Sequence, residues 1–436
     1  MIKYNSETRL VVLYITYNTA LDPFKSNTPP KKYLQIMEKS QRCNTDTNTS
    51  IGFCLLPSEL IQNILFHLCI PEIIRMKLLN KFVLNTISDQ TFIRQLNHGS
   101  QRDTWIFVYT RRWRRDNGVL HGFSNRSVRW FKIPVAEILT GEVFPGEDLY
   151  LLTASGNFLL FASNTHSGIL AVDLVDKSVR RISSCPLGPR GTSSWRRSGM
   201  KLVPDPSNPS HFRFMFAEMV NNRPVLFTYH SNSTTWTTKE AEEINNWGYK
   251  KNNNVFLSLS NRPHESTVMS VDDGSMTNRV PAILRPRMNQ EAIRGCPSSV
   301  GFSRNDLESQ LLHIHGDEYK VVIRLDKIEL SNMKKMKSLE VWEISSNAEK
   351  WELVSRAPSE VISNQLCGVM MGCLERRLGV IRVALMTNRE GLWNIIWLDY
   401  DKEKDKWEWV PLPHCRFLQG SNMAGISFSS GLTFSL

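Results

Sequence analysis

Five stretches of this chain carry one apolar signature at a fixed distance from a terminal anchor, and that repeat limits the fold more than any other feature. Leu226, Phe227 and Tyr229 precede Trp236 by ten, nine and seven positions, and Val341, Trp342 and Ile344 precede Trp351 in the same way. Trp397, Leu398 and Tyr400 stand so before Trp407, and Ile169, Leu170 and Val172 stand so before Val179. Leu120 and Phe123 take the ten and seven positions before Trp130. The anchors at 130, 179, 236, 351 and 407 are therefore 49, 57, 115 and 56 residues apart. The third interval is about twice the others. A degenerate sixth copy is expected near Ile293, inside the Pro- and Arg-rich stretch Arg279 to Pro297, where no clear hairpin can be read.

Each unit reads as a strand, a polar turn such as Ser231 to Thr234 or Asp401 to Lys404, and a second strand closing on the anchor. Inner strands come earlier in each unit, as in Asn157 to Phe161, Phe212 to Phe216 and Val380 to Val383. Several strands per repeat of this length indicate a propeller, here of six blades, with the Trp side chains as blade packing rather than ligand contacts. The ends of the repeat are informative too. Only Trp105 to Tyr109 precedes the first unit, while Ala424 to Phe428 and Leu432 to Leu436 remain after the last. Unpaired strand edges are costly, so this C-terminal segment is expected to join the strand around Phe107 in one blade.

Ahead of the repeat the pattern is helical. Leu60, Ile64 and Leu68 recur every four residues with Ile61 and Leu65 beside them, and Pro57 suits a first turn. A second helix is expected from Glu72 and a third through Phe82, Ile87, Phe92 and Leu96. So small a unit has little core of its own, and a leftover apolar face would need a partner. Residues 22–50, rich in Asn, Thr, Ser, Lys and Pro, cannot offset their ordering entropy. The expected division is a flexible leader over 1–53, a helical module over 54–98 and a propeller over 103–436.

A net charge of +11 favours acidic partners. The eight cysteines lie scattered, with no C-x-x-C pair for zinc or redox chemistry, which fits a reducing cytoplasm or nucleus. The apolar run Leu10 to Tyr17 is shorter than a membrane span and has no cleavage site after it, so no signal peptide or membrane helix is read.

The segment Leu55 to Leu65, with Leu68, Ile74, Arg75 and Leu79 to Lys81, resembles the F-box motif. Its Leu-Pro opening is Leu56 and Pro57, its acidic residue Glu59 and its Ile-Leu step Ile64 and Leu65. Where the family has Cys-Lys-x-aromatic, this chain has Asn80, Lys81, Phe82 and Val83, lacking the Cys and shifting the aromatic by one position. Stretches such as Ser155 to Ser163 and Leu174 to Ser178 are similar to the kelch-type propellers of plant F-box proteins. The resemblance implies a small all-α F-box module followed by an all-β kelch-like propeller. It also implies that Leu56, Pro57, Leu60, Ile61, Ile64, Leu65 and Leu68 face, or support the face toward, a Skp-type adaptor linked to a cullin ligase core. The propeller would then hold an unidentified protein substrate, with no cofactor, and the net charge of +11 favours an acidic one. The alternative is a propeller scaffold that works apart from any ligase.

Catalytic signatures are missing: the sequence has no Gly-rich phosphate loop, no G-x-S-x-G elbow and no cysteine in a catalytic context. His313 and His315 share one face of a strand but have no third ligand at a telling spacing, so a surface or hydrogen-bonded pair is expected rather than a metal site. The densest basic cluster is Arg111, Arg112, Trp113, Arg114 and Arg115. It reads as a solvated loop in the first blade, as a contact for an acidic protein patch, or, least favoured, as a platform for nucleic acid.

Overall fold

The computed structural model describes residues 56–100, 103–112, 118–139, 147–163, 168–190, 195, 199–205, 208, 210–243, 254–259, 267–272, 280–288, 311–327, 334–362 and 367–434. The expected leader, Trp113 to Arg115 and Ile293 lie outside the described residues, as do the side chains of Arg112 and His313. The chain divides into two compact units, residues 1–94 and 95–436.

The first unit holds helices α1 (Ser58–Phe66), α2 (Ile70–Met76) and α3 (Lys81–Ser88), and the start of α4 (Gln90–Ser100). Pro57 caps α1, and Pro71 opens α2, whose Glu72 carboxylate accepts the Cys69 amide at 3.0 Å. The third expected helix is in fact two. Asp89 has extended backbone, and its Oδ1 accepts the Phe92 amide at 2.9 Å, so one residue ends α3 and caps α4. Asn80 caps α3 likewise, accepting from Val83 N at 2.8 Å. The core is Ile61, Leu65, Ile73, Val83 and Ile87, with Phe66 and Phe92 stacked at 4.9 Å.

The second unit is a six-bladed β-propeller. Strands β1 (Thr104–Arg112), β2 (Gly118–Ser124) and β3 (Arg129–Ile133) belong to blade one, followed by the short helix α5 (Val135–Ile138). Blade two is β4 (Leu149–Ser155), β5 (Phe158–Ser163), β6 (Ile169–Asp173) and β7 (Ser178–Ile182). Blade three is β8 (Met200–Pro204), β9 (Phe212–Val220), β10 (Arg223–His230) and β11 (Thr235–Glu240). Blade four combines β12 (Glu242–Glu243) with β13 (Asn254–Leu259), β14 (Thr267–Asp272) and β15 (Ala282–Leu284). Blade five is β16 (Leu311–Gly316), β17 (Tyr319–Lys327), β18 (Lys334–Ile344) and β19 (Trp351–Arg356). Blade six is β20 (Val369–Arg377), β21 (Val380–Arg389), β22 (Leu392–Asp401) and β23 (Lys406–Val410). The last strand, β24 (Ser421–Ser430), returns to pair antiparallel with β1, setting Phe107 opposite Ser427.

The innermost strands β24, β4, β8, β13, β16 and β20 touch in that order, and β20 touches β24, so the ring is complete. Apolar cores lie between neighbouring blades: Phe158, Phe212 and Tyr229 between two and three, and Val321, Val383 and Trp407 between five and six. Gly425 makes the closure possible. It has φ +136° at a bulge in β24, and a Cβ there would lie 2.3 Å from the Leu151 carbonyl oxygen of β4.

The recurring signature is the hairpin of the third and fourth strands. The residue seven positions before the anchor is its direct cross-strand partner: Tyr229 with Trp236, Tyr400 with Trp407, Phe123 with Trp130, Ile344 with Trp351 and Val172 with Val179. A left-handed residue stands two before the anchor in four copies, namely Val128, Lys177, Thr234 and Asp405. Such a residue gives the turn the twist of its strands. The indoles also tie blades together. Trp236 Nε1 donates to the Ser183 carbonyl at 2.9 Å, Trp130 Nε1 to the Pro413 carbonyl at 3.2 Å and Trp407 Nε1 to Ser355 Oγ at 3.0 Å, each on the preceding blade or just after it. Blade packing is therefore the role of these residues.

Blade four departs from the pattern. Its outer strand comes from Glu242–Glu243, ahead of its own inner strand, and pairs parallel with β15, so a strand does lie in the stretch where no hairpin was legible. The following blade registers the change: the buried Trp351 Nε1 has no hydrogen-bond partner among the described residues.

At the seam of blades four and five, the buried Lys320 amine lies 3.4 Å from Met288 Sδ and over the Trp351 ring. Burial pushes its pKa from 10.5 down to about 7. Between those values the unfolded chain holds a proton that the folded chain has released, so stability rises with pH across that window. Below about pH 7 both states are charged and the full burial cost applies. Unfolding measured at pH 7 and pH 9 is expected to show a gain of about 2 kcal/mol in the wild type that Lys320→Met lacks. An identical pH dependence in the two proteins would refute this assignment.

Candidate functional site

Two features stand out, one in each unit. In the helical unit, Leu60, Ile61, Ile64 and Leu65 of α1 form two apolar stripes, since each residue turns about 100° round a helix axis. Ile61 and Leu65 point into the core and are fully buried, whereas Leu60 and Ile64 are 49% and 40% exposed. Leu56 and Leu68 are half-buried and Pro57 is exposed. The seven residues expected at the adaptor face thus separate into solvent-facing ones and those that brace them from below. Leu78, Leu79, Phe82 and Leu84 are exposed as well. Six of the twelve large exposed apolar residues among those described fall between 60 and 84, a concentration that single scattered residues would not give. Sequence periodicity placed Leu60 and Ile64, but the exposure of Leu78, Leu79 and Phe82 had no signal of its own.

The second feature is an axial cavity of about 210 Å³ in the propeller, lined by residues of all six innermost strands. Lys201, Asp317, Glu375 and Arg377 bring charge to it, and His315 an imidazole. Lys201 Nζ meets Asp317 Oδ1 at 2.7 Å. Glu375 accepts from Ser430 Oγ at 3.0 Å and faces Arg382 at 3.8 Å. Burial raises the Glu375 pKa, against the pull of Arg382, Ser430, Lys201 and Arg377. Burial also lowers that of Arg377. The sequence assigns none of these five a binding role, and His315 reads there as an ordinary histidine; they come from positions 201 to 377 and only the ring assembles them. His315 lies 6.2 Å from the Trp351 ring, and among the described residues no group of three or more His, Cys, Asp or Glu side chains could hold a metal ion.

The basic cluster resolves in part. Arg111 is paired with Asp148, and its Nη2 donates to the Tyr150 hydroxyl at 3.0 Å with the guanidinium over the Tyr150 ring. It fastens blade one to blade two, so the expectation of a solvated arginine fails at this position. Among the described residues no helix is long and apolar enough to cross a membrane.

The chain matches no protein-family model and no curated protein. Among solved structures it is similar to the nidogen/laminin complex, with 7% identity over 76% of this chain and 99% of that one and a TM-score of 0.39. It is similar to TolB from Acinetobacter baumannii, with 9% identity over 77% and 70% of the two chains and a TM-score of 0.37. It is also similar to the β-propeller domain of the Trilobed protease from Pyrococcus furiosus, with 11% identity over 72% and 81% and a TM-score of 0.31. At scores this low the description of the chain as a closed six-bladed propeller rests on its own strand order and ring contacts.

Proposed function

We propose that this chain is the substrate-receptor subunit of a Skp-cullin-F-box ubiquitin ligase: the helical unit docks the Skp-type adaptor, the kelch-like propeller holds the protein to be ubiquitinated, and the chain itself performs no bond chemistry. The observation that carries the reading is the exposure of Leu60 and Ile64, at positions where the F-box resemblance puts adaptor contacts, beside exposed Leu78, Leu79 and Phe82. An apolar face of this kind is stabilised by a partner that removes it from water. The propeller's contribution is proximity, since holding a target lysine beside a charged conjugating enzyme raises the effective concentration of the reactants. The altered step at Asn80 to Val83 is compatible with the fold: Asn80 caps α3 and Val83 fills the helical core.

Leu60→Ala combined with Ile64→Ala is expected to weaken adaptor binding by at least about 2 kcal/mol, because both side chains would be buried at the contact. Both face solvent in the free chain, so its melting should change by less than about 0.5 kcal/mol in stability terms. Co-purification with a Skp-type adaptor checks the first expectation and thermal unfolding the second. Undiminished co-purification of the double variant would remove the docking assignment and leave the ligase-independent scaffold.

A further inference from the structure

One charge of the axial cavity lacks a close partner. Asp317 is held by Lys201 at 2.7 Å, and Glu375 by Ser430 at 3.0 Å with Arg382 behind it. Arg377, the last residue of β20, lines the same cavity but makes no hydrogen bond or close ion pair among the described residues. Glu375 and Asp103 act on it only through space, and Asp103 is itself engaged by Arg126 at 3.0 Å. A guanidinium cannot shed its proton to escape a half-buried position, so it gains from a counter-anion.

We propose that the axial cavity is a carboxylate-binding site, with Arg377 as its forked anchor and Lys201 as the neighbouring cation. Both cavity carboxylates already have close partners, and Arg377 has none among the described residues. A singly charged planar group suits this place better than a phosphate, because a dianion would meet Asp317 and Glu375 in the same space, whereas a carboxylate matches the fork of an arginine. The volume of about 210 Å³ fits a small monocarboxylic acid or one acidic side chain reaching in along the axis. These two sources share the chemistry. The site stands apart from the adaptor reading and does not depend on it.

The test is calorimetric titration of the full chain, at low ionic strength, with propionate and separately with an end-capped octaglutamate peptide. Saturable one-to-one binding of at least one probe is expected. Arg377→Ala should weaken it by about tenfold or more, since it removes the forked cation that pairs with the bound carboxylate. Glu375→Gln should tighten it severalfold by removing a like charge, and Arg223→Ala, at an exposed cation paired with Glu240, should leave it unchanged. Binding of propionate supports a free monocarboxylic acid as the ligand, and binding of the peptide alone supports an acidic segment of a protein. No binding of either probe overturns the proposal, as does an equal loss with Arg223→Ala and Arg377→Ala. If Arg377→Ala lowers the melting temperature, Glu375→Gln decides the matter: unchanged or weaker binding in that variant overturns the site.

Discussion

Deleting residues 423–436 is expected to open the propeller and abolish its cooperative unfolding, or to lower its melting temperature by more than about 10 °C. The strand removed is neither an edge nor a tail. Along β1 its pairs run from Thr104 with Ser430 to Thr110 with Met423, and Met423, Ala424, Ile426 and Phe428 are buried. Ile426 and Phe428 each contribute about 2 kcal/mol by burial alone. Ser427 Oγ accepts the Ala154 amide at 3.0 Å and Ser429 Oγ donates to the Gly156 carbonyl at 2.9 Å, so blade two would lose partners too. The residues beyond β24 are fastened as well: Thr433 N donates to Asn157 Oδ1 at 2.9 Å and Phe434 N to Asn97 Oδ1 at 2.7 Å. The combined loss exceeds about 5 kcal/mol, comparable with the whole stability of many domains. Trimming a frayed tail would cost less than about 0.5 kcal/mol. Thermal and denaturant unfolding of the truncated chain give the answer, and a truncated protein that melts with the full chain would refute ring closure by β24.

Trp407→Ala is expected to cost about 3–5 kcal/mol, the range for deleting a large aromatic from a packed site. The ring lies 5.0 Å from Tyr400 within a core shared by blades five and six, and its Nε1 reaches Ser355 Oγ at 3.0 Å. Trp407→Phe keeps an aromatic and loses the inter-blade hydrogen bond, so it should cost about 1–2 kcal/mol. Trp351 is the internal control. Its Nε1 has no partner among the described residues, so Trp351→Phe should cost less than Trp407→Phe. Equilibrium unfolding in urea measures all three, and a Trp407→Ala protein within about 1 kcal/mol of wild type would contradict the role of the anchor as an inter-blade staple.

The sequence by itself determined what is local and periodic. A seven-residue offset between two apolar positions is the length of a tight hairpin, so the register of the five anchored hairpins, and from their spacing the six blades, were legible in the order of residues. Ring closure was also legible, because strands without partners at both ends of a repeat have one economical solution in each other. The helical unit was legible as an apolar period, but not its break at Asp89, where a single side chain capping an amide outweighs a continuous pattern.

Tertiary structure alone decided the rest, because those outcomes depend on which distant groups the fold brings together. Ile61 and Leu60 are adjacent and equally apolar, and packing against Ile73, Val83 and Ile87 buries one and leaves the other to solvent. Blade four takes its outer strand from Glu242–Glu243 because the edge of β15 accepts whichever backbone reaches it, a choice no side-chain pattern encodes. Arg111 reads as one basic residue among several until Asp148 and Tyr150 are set beside it. Lys201, Asp317, Glu375 and Arg377 become a site only because six inner strands meet at one axis, where burial makes their charges consequential.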